Sequence, residues 1–157
     1  MITVRQATLD DAADVLLWRN DSLAIEMSIN QSSVSDEEHA KWFPETLNSD
    51  RCIHLLGEVT DAHTELRKIG ACRFDREANN QWWVSINLNP AFRGQGLSGT
   101  FLGQSIAFWK EHTDAQQVTL VAEVWEKNAA SVKIFERNGF ESVALSVGVH
   151  RMLREFG

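Results

Sequence analysis

A chain of 157 residues, 43% apolar and 24% charged, has the size and balance of one domain built around a single core. Its net charge of -7 argues against general affinity for nucleic acid, and no apolar run approaches the roughly 20 residues of a membrane-crossing helix. Cys52 and Cys72 lie far apart without CxxC spacing, so neither a disulfide framework nor a zinc site is expected, and both should be reduced, buried thiols.

The start, Met1-Ile2-Thr3-Val4-Arg5, reads as the opening of a strand over 2–7 and lacks the basic and apolar stretches of a signal peptide, so cytoplasmic residence is expected. Thr8-Leu9-Asp10-Asp11 offers a capping box for a helix over 9–19 that buries Ala12, Val15 and Leu16. Ser35-Asp36-Glu37-Glu38 repeats that signal before a second helix with Ala40, Phe43 and Leu47 on one face, which Pro44 should bend or shorten. The period then becomes strand-like. Segments 52–59, 66–75 and 81–88 form a predicted meander, with turns at Asp61-Ala62-His63-Thr64 and Asn79-Asn80. Leu97, Phe101, Leu102, Ile106 and Trp109 trace the buried stripe of a third helix ending near His112. A strand over 118–124 and a helix over 129–137, stopped by Asn138-Gly139, precede a hairpin of 140–147 and 149–155 around Gly148. The order implies one α/β (α+β) domain spanning 1–157, a mixed sheet with helices on both faces.

The stretch Asn87-Leu88-Asn89-Pro90-Ala91-Phe92-Arg93-Gly94-Gln95-Gly96-Leu97-Ser98-Gly99 runs from a strand through a glycine-containing turn into an amphipathic helix. The first amides of a helix lack internal partners, the helix dipole adds positive potential, and glycine lets a phosphate approach the backbone. An anion-binding turn is one reading, and a merely tight turn is the other. The spacing is not that of the GxxxxGK[ST] loop, because no Lys-Ser or Lys-Thr follows.

Arg93-Gly94-Gln95-Gly96-Leu97-Ser98 resembles the Q/R-x-x-G-x-G/A turn of the GCN5-related N-acetyltransferases (GNAT), with Ser98 where Gly or Ala is usual. Leu120-Val121-Ala122-Glu123-Val124 followed by Asn128-Ala129-Ala130-Ser131-Val132-Lys133-Ile134-Phe135-Glu136-Arg137-Asn138-Gly139-Phe140 is similar to that family's strand, asparagine-led helix and terminal Gly-Phe. The resemblance implies a seven-stranded mixed sheet with a V-shaped split between the fourth and fifth strands, where the pantetheine arm of acetyl-CoA, the cosubstrate, lies. It further implies pantetheine contacts to the backbone of Ile86, Asn87 and Leu88. The pyrophosphate would then rest on the turn from Arg93 through Gly94, Gln95, Gly96, Leu97 and Ser98 to Gly99. Asn128 would reach the arm, although capping the helix is an equally available role.

Transfer of acetyl to an amine requires a base, donors for the oxyanion and a route for protonating the thiolate. Glu123 matches a carboxylate base of some relatives, and a solvated strand glutamate is its alternative. The helix position where relatives commonly carry an acidic tyrosine holds Phe135, and the chain contains no tyrosine. Water or Ser131 could protonate a thiolate, and His150 is a weaker candidate. Trp18-Arg19-Asn20, Met27, Glu37-Glu38-His39 and Trp42 resemble the acceptor-binding stretch of family members that acetylate nucleotide-linked amino sugars, with parts shared by the branch acting on ribosomal-protein N-termini. Trp18, Arg19, Asn20, His39 and Trp42 are therefore the expected acceptor contacts. Arg19 is suited to a phosphate and Trp42 or Trp82 to stacking on a base or sugar, although large aromatics commonly serve burial first. The expected partners are acetyl-CoA and a small amine, with no metal, and a homodimer is kept open. A protein N-terminus or small amine as acceptor, and a non-catalytic acyl-CoA-binding module, are the competing readings.

Overall fold

The computed structural model describes residues 1–113 and 116–157. Its strands are β1 (Ile2–Gln6), β2 (Cys52–Thr60), β3 (Leu66–Arg76), β4 (Gln81–Leu88), β5 (Val118–Trp125), β6 (Glu141–Ser146) and β7 (Val149–Phe156). Its helices are α1 (Ala12–Arg19), α2 (Ser22–Met27), α3 (Asp36–Leu47), α4 (Ser98–Glu111) and α5 (Ala129–Arg137). The strands make one seven-stranded sheet in the order β1-β2-β3-β4-β5-β7-β6. Every neighbouring pair is antiparallel except β4 and β5, the pair joined by the α4 crossover.

Strand alternation sorts the apolar side chains onto two faces. On one face Leu55, Cys72, Phe74, Val84, Leu120, Ala122 and Met152 pack under α4 and α5, with Phe101, Leu102, Ile106, Trp109 and Phe135 from the helices. On the other, Leu56 and Ala71 meet Val15, Trp18 and Phe43 of α1 and α3. Phe74 and Trp109 stack with centroids 5.6 Å apart, and Trp82 meets Trp109 edge-on, so Trp82 is a core residue rather than an acceptor contact. Both thiols are reduced: burial pushes Cys72 up to about 12, and burial followed by Asp75 pushes Cys52 up to about 11.

Three local expectations need correction. The helix predicted over 9–19 begins as a 3-10 turn at Leu9–Asp11, with the expected Thr8–Asp11 capping box in place. The Thr8 amide donates to the Asp11 carboxylate at 2.8 Å, and the Thr8 hydroxyl reaches that same carboxylate at 3.4 Å. Asp11 is 1% exposed and ion-paired with Arg5 and Lys68, each at 2.8 Å, which pins the start of α1 to β1 and β3. Burial alone would raise its pKa, yet the hydrogen bonds from Arg5, Lys68 and Thr8 hold the carboxyl well below the usual range. Second, α3 continues a turn past Pro44, because the carbonyl that proline leaves unbonded belongs to exposed Ala40, where water can satisfy it. The buried residues of α3 are accordingly His39 and Phe43, not Ala40. Third, the six-residue α2 was not anticipated. It buries no side chain and so leaves no apolar stripe, and its one sequence signal is Asp21, which accepts from the amides of Leu23 and Ala24.

Candidate active site

Strands β4 and β5 pair only from Gln81–Trp83 to Thr119–Val121 and then separate. Asn89 donates its amide to Ile69 of β3, while the carbonyl of Asn80 accepts from Thr119 of β5. Alternation along β4 therefore turns the main chain of odd positions to β3 and of even positions to β5. Past Trp83 the even positions have no β5 partner, so Ile86 and Leu88 offer free N–H and C=O groups to the split. The main chain of Asn87, expected to do the same, is committed to β3. Its side chain instead lines the opening.

The split widens into a cleft of about 630 Å³. At its donor end lie Arg93, Gly94 and Ser98, with Asn128, Ser131 and Phe135 opposite. Gly94 and Gly96 hold φ values of +75° and +73°, and a Cβ on either would meet nothing within 4 Å. The turn is thus left-handed at two positions and open above its backbone. Among the described residues the amides of Gly94 to Thr100 have no hydrogen-bond partner, the first helical bond being Phe101 N–H to the Leu97 carbonyl at 3.0 Å. Four of these seven unpaired N–H groups lie in the turn and three in the first turn of the 14-residue α4, a cradle that an anion could occupy. Gln95, Gly96, Leu97 and Gly99 shape this turn without lining the cleft: Gln95 bonds back to the Ala91 carbonyl, and Leu97 packs on the core. The Arg93 guanidinium pairs with Asp21 at 2.5 Å, tying the turn to the start of α2. Asn128 caps α5 by accepting from the Ser131 amide at 3.3 Å while also lining the cleft, so both of its expected positions coincide.

Register places His54, Arg73 and Ser85 in one row across β2, β3 and β4, and Glu123 of β5 on the same sheet face. Glu123 is exposed in the cleft, with no ion pair or hydrogen bond among the described residues. His39 stacks on Phe43 at 4.9 Å and meets Trp42 edge-on at 5.0 Å. The Nε2 of His39 and the Nδ1 of His54 are buried without partners. Burial pushes His39 down, and burial with the charges of Arg73 and His39 pushes His54 down to about 4, so both rings are neutral near pH 7. Arg73 bonds Asp75 through Nε and lies 5.0 Å over the Trp42 ring.

Of the five expected acceptor contacts, Arg19, His39 and Trp42 line the cleft. Trp18, 3% exposed, belongs to the core. Asn20 clamps the loop after α2 by exchanging hydrogen bonds with Val34 at 2.6 and 2.7 Å. His150 bonds Ser142 and stands outside the cleft. Sequence reasoning missed Arg73 and His54 at the site. The available signal was a polar side chain inside each of two otherwise apolar strand runs.

Residues 2–141 match the profile described as an acetyltransferase (GNAT) domain, and the chain belongs to that family. An uncharacterised protein of Methanocaldococcus jannaschii is 25% identical over 154 residues, covering 89% of this chain, and the match spans only 28% of that protein's length. The solved structure of a domain from the same organism superposes with a TM-score of 0.83 at 18% identity over 99% of both chains. A spermidine N-acetyltransferase from Vibrio cholerae, bound to CoA and spermine, gives 0.82 at 16% identity, covering 99% of this chain and 95% of that one. An aminoglycoside acetyltransferase bound to coenzyme A gives 0.76 at 14% identity, with the same coverage. At these identities the structural likenesses establish the fold.

Proposed function

We propose that this chain is an acetyl-CoA-dependent N-acetyltransferase whose acceptor is the primary amine of a nucleotide-linked amino sugar. The observation that carries the reading is the continuity of one cleft: the turn with unpaired amides, which reaches it at Gly94 and Ser98, the free β4 edge at Ile86 and Leu88, and Glu123 lie along it in the order of diphosphate, arm and thioester. Coenzyme A is bound by the spermidine and aminoglycoside enzymes that share the fold. Glu123 takes a proton from the acceptor ammonium, directly or through water. The amine nitrogen then attacks the thioester carbon, the developing oxyanion is held by the Leu88 amide, and the adduct collapses with loss of the nitrogen's second proton to water and cleavage of the C–S bond. Phe135 carries no hydroxyl, so the departing thiolate takes its proton from water or Ser131, a step its pKa of roughly 8.5 allows. Trp42 supplies a stacking face for the sugar or base, and Arg19 and His39 complete the acceptor end.

Isothermal titration with coenzyme A, followed by a thiol-release assay with acetyl-CoA and a panel of amines, tests the reading. Heat on coenzyme binding and amine-dependent thiol release that Glu123→Gln abolishes are the expected results. An absence of coenzyme binding overturns the whole reading. Tight binding without turnover on any amine favours the non-catalytic module, the reading to which Phe135 lends weight. Cytoplasmic residence and a homodimer belong to the same proposal. The exposed edge of β6, with Val143 and Leu145 at 55% and 52% exposure, is the surface a second copy would pair with, and sedimentation measures it.

A further inference from the structure

Three arginines line the cleft, and two of them have carboxylate partners: Arg93 has Asp21, and Arg73 has Asp75. Arg19 has none among the described residues. Its Nη2 donates to the Asn30 carbonyl at 3.2 Å, and its Nη1 is buried without any partner. Burial pushes its pKa down, and no neighbouring acid pushes it back. A guanidinium half-withdrawn from water, with its Nη1 buried and no counter-charge, lowers stability, so its retention facing a cavity needs an explanation that packing does not supply. The group is also fixed in place. The loop carrying Asn30 is held by Asn20 on Val34 and by the Trp125 indole, which donates to the Ser28 carbonyl at 2.8 Å.

Resting on the N-acetyltransferase reading above, we infer that Arg19 is the anchor for an oxyanion carried by the acceptor itself, so that the enzyme selects anionic amines and rejects polycationic ones. The charge inventory of the cleft agrees: Arg19, Arg73 and Arg93 face it with Glu123 as the sole lining carboxylate among the described residues, in a chain whose net charge is -7. A spermidine-like polycation entering this end would meet the uncompensated charge of Arg19, with Asp75 already engaged by Arg73 and Glu123 needed for catalysis. A phosphate or carboxylate would supply Arg19 with the partner it lacks, in the forked geometry a guanidinium favours. Specificity then sits in a charge left unsatisfied in the fold and completed by the substrate.

Matched amine pairs test this: glucosamine 6-phosphate against glucosamine, alanine against alaninamide, and a uridine-diphosphate amino sugar against spermidine. The wild type should favour the anionic member by about tenfold or more in kcat/KM, and the phosphate and carboxylate pairs show which oxyanion is read. Arg19→Gln should raise KM for the anionic member about tenfold, a loss at least about fivefold larger than any on its uncharged twin. Arg19→Lys should recover part of that loss. Arg19→Met, which removes an unpaired charge, should melt no lower than the wild type. Equal or better turnover of glucosamine or spermidine overturns the inference while leaving acetyl transfer intact, as does an equal loss on both members of a pair. If no amine is turned over, titrating glucosamine 6-phosphate and uridine diphosphate into coenzyme-saturated protein still decides: binding weakened by Arg19→Gln supports the anchor, and no binding refutes it.

Discussion

In the proposed function, the donor half of the cleft works with main-chain groups and the acceptor half with side chains. Between Ile86 and Thr100 the groups on offer are amides and carbonyls, set by strand alternation, two left-handed glycines and the start of α4. Across the cleft, the lining groups proposed to meet the acceptor are the side chains of Arg19, His39, His54, Arg73 and Trp42, drawn from α1, α3, β2 and β3. Main-chain recognition suits a constant donor, because it depends on few side chains. Side-chain recognition suits a variable acceptor, because each group can change without disturbing the sheet. Glu123 stands where the two halves meet, and the largest effect is expected there. Glu123→Gln should lower kcat/KM about a thousandfold, or about 4 kcal/mol, with coenzyme affinity unchanged by titration calorimetry. A loss of coenzyme binding equal to the loss of rate would instead assign Glu123 to the donor half.

The acceptor half hangs on the Asp11 cluster, and the next effect is one of stability. Asp11→Asn leaves Arg5 without its closest partner and weakens the hold on Lys68, so urea unfolding should show a loss of about 3 kcal/mol. The depressed pKa of Asp11 gives the sign with pH: its stabilisation is present above the unfolded value of 3.8 and fades as pH falls below it. Coenzyme affinity at low urea should be unaffected, since no residue of the cluster lines the cleft. If the variant instead loses coenzyme binding in step with stability, the two halves are one cooperative unit at the site.

This division also explains what could be read before the structure was known. The donor half was legible because its chemistry is local: the strand, turn and helix from Gln81 to Glu111 are contiguous, and left-handed glycines leave a mark in sequence. Even there, only strand pairing could reveal that the Asn87 main chain faces β3 while Ile86 and Leu88 face the split. The acceptor half depends on residues far apart in sequence. Nothing in the order of residues brings His54 and Arg73 beside His39 and Trp42, or shows that Trp18 points into the core while Arg19, one residue on, faces the cleft. The six residues of α2 were invisible for a related reason: a helix that buries none of its side chains has no apolar period to detect.

The two buried histidines offer a pH handle on the acceptor half alone. His54 is held down to about 4 while an unfolded histidine titrates near 6.5, so between those values the unfolded chain binds a proton that the folded chain refuses. Stability must therefore fall as pH drops through that window, by about 2 kcal/mol from pH 7 to pH 5 for His54. His39, shifted in the same direction, adds to the slope. Denaturant titrations at the two pH values should show the loss, and His54→Gln should remove most of it. An unchanged slope in that variant would locate the titrating group elsewhere. Asp11 does not confuse the reading, because its own window lies lower.

The smallest effect tests the donor half without touching the fold. A Cβ at Gly96 would meet no protein atom within 4 Å, so Gly96→Ala pays no steric penalty within the chain, only the strain of a non-glycine residue at φ +73°. That strain acts on the turn, relaxing it away from the conformation that points the amides outward, while the added methyl stands over the cradle. Coenzyme affinity should fall about tenfold by calorimetry, about 1.4 kcal/mol, with melting lowered by no more than the strain itself. Gly94, with the same openness and φ +75°, should behave alike. Gly99 is equally open, but its φ lies outside the left-handed range, so Gly99→Ala carries the methyl without the strain. A drop in affinity for the first two but not for Gly99→Ala would show that backbone shape governs the cradle. Equal losses at all three would show that steric access governs it.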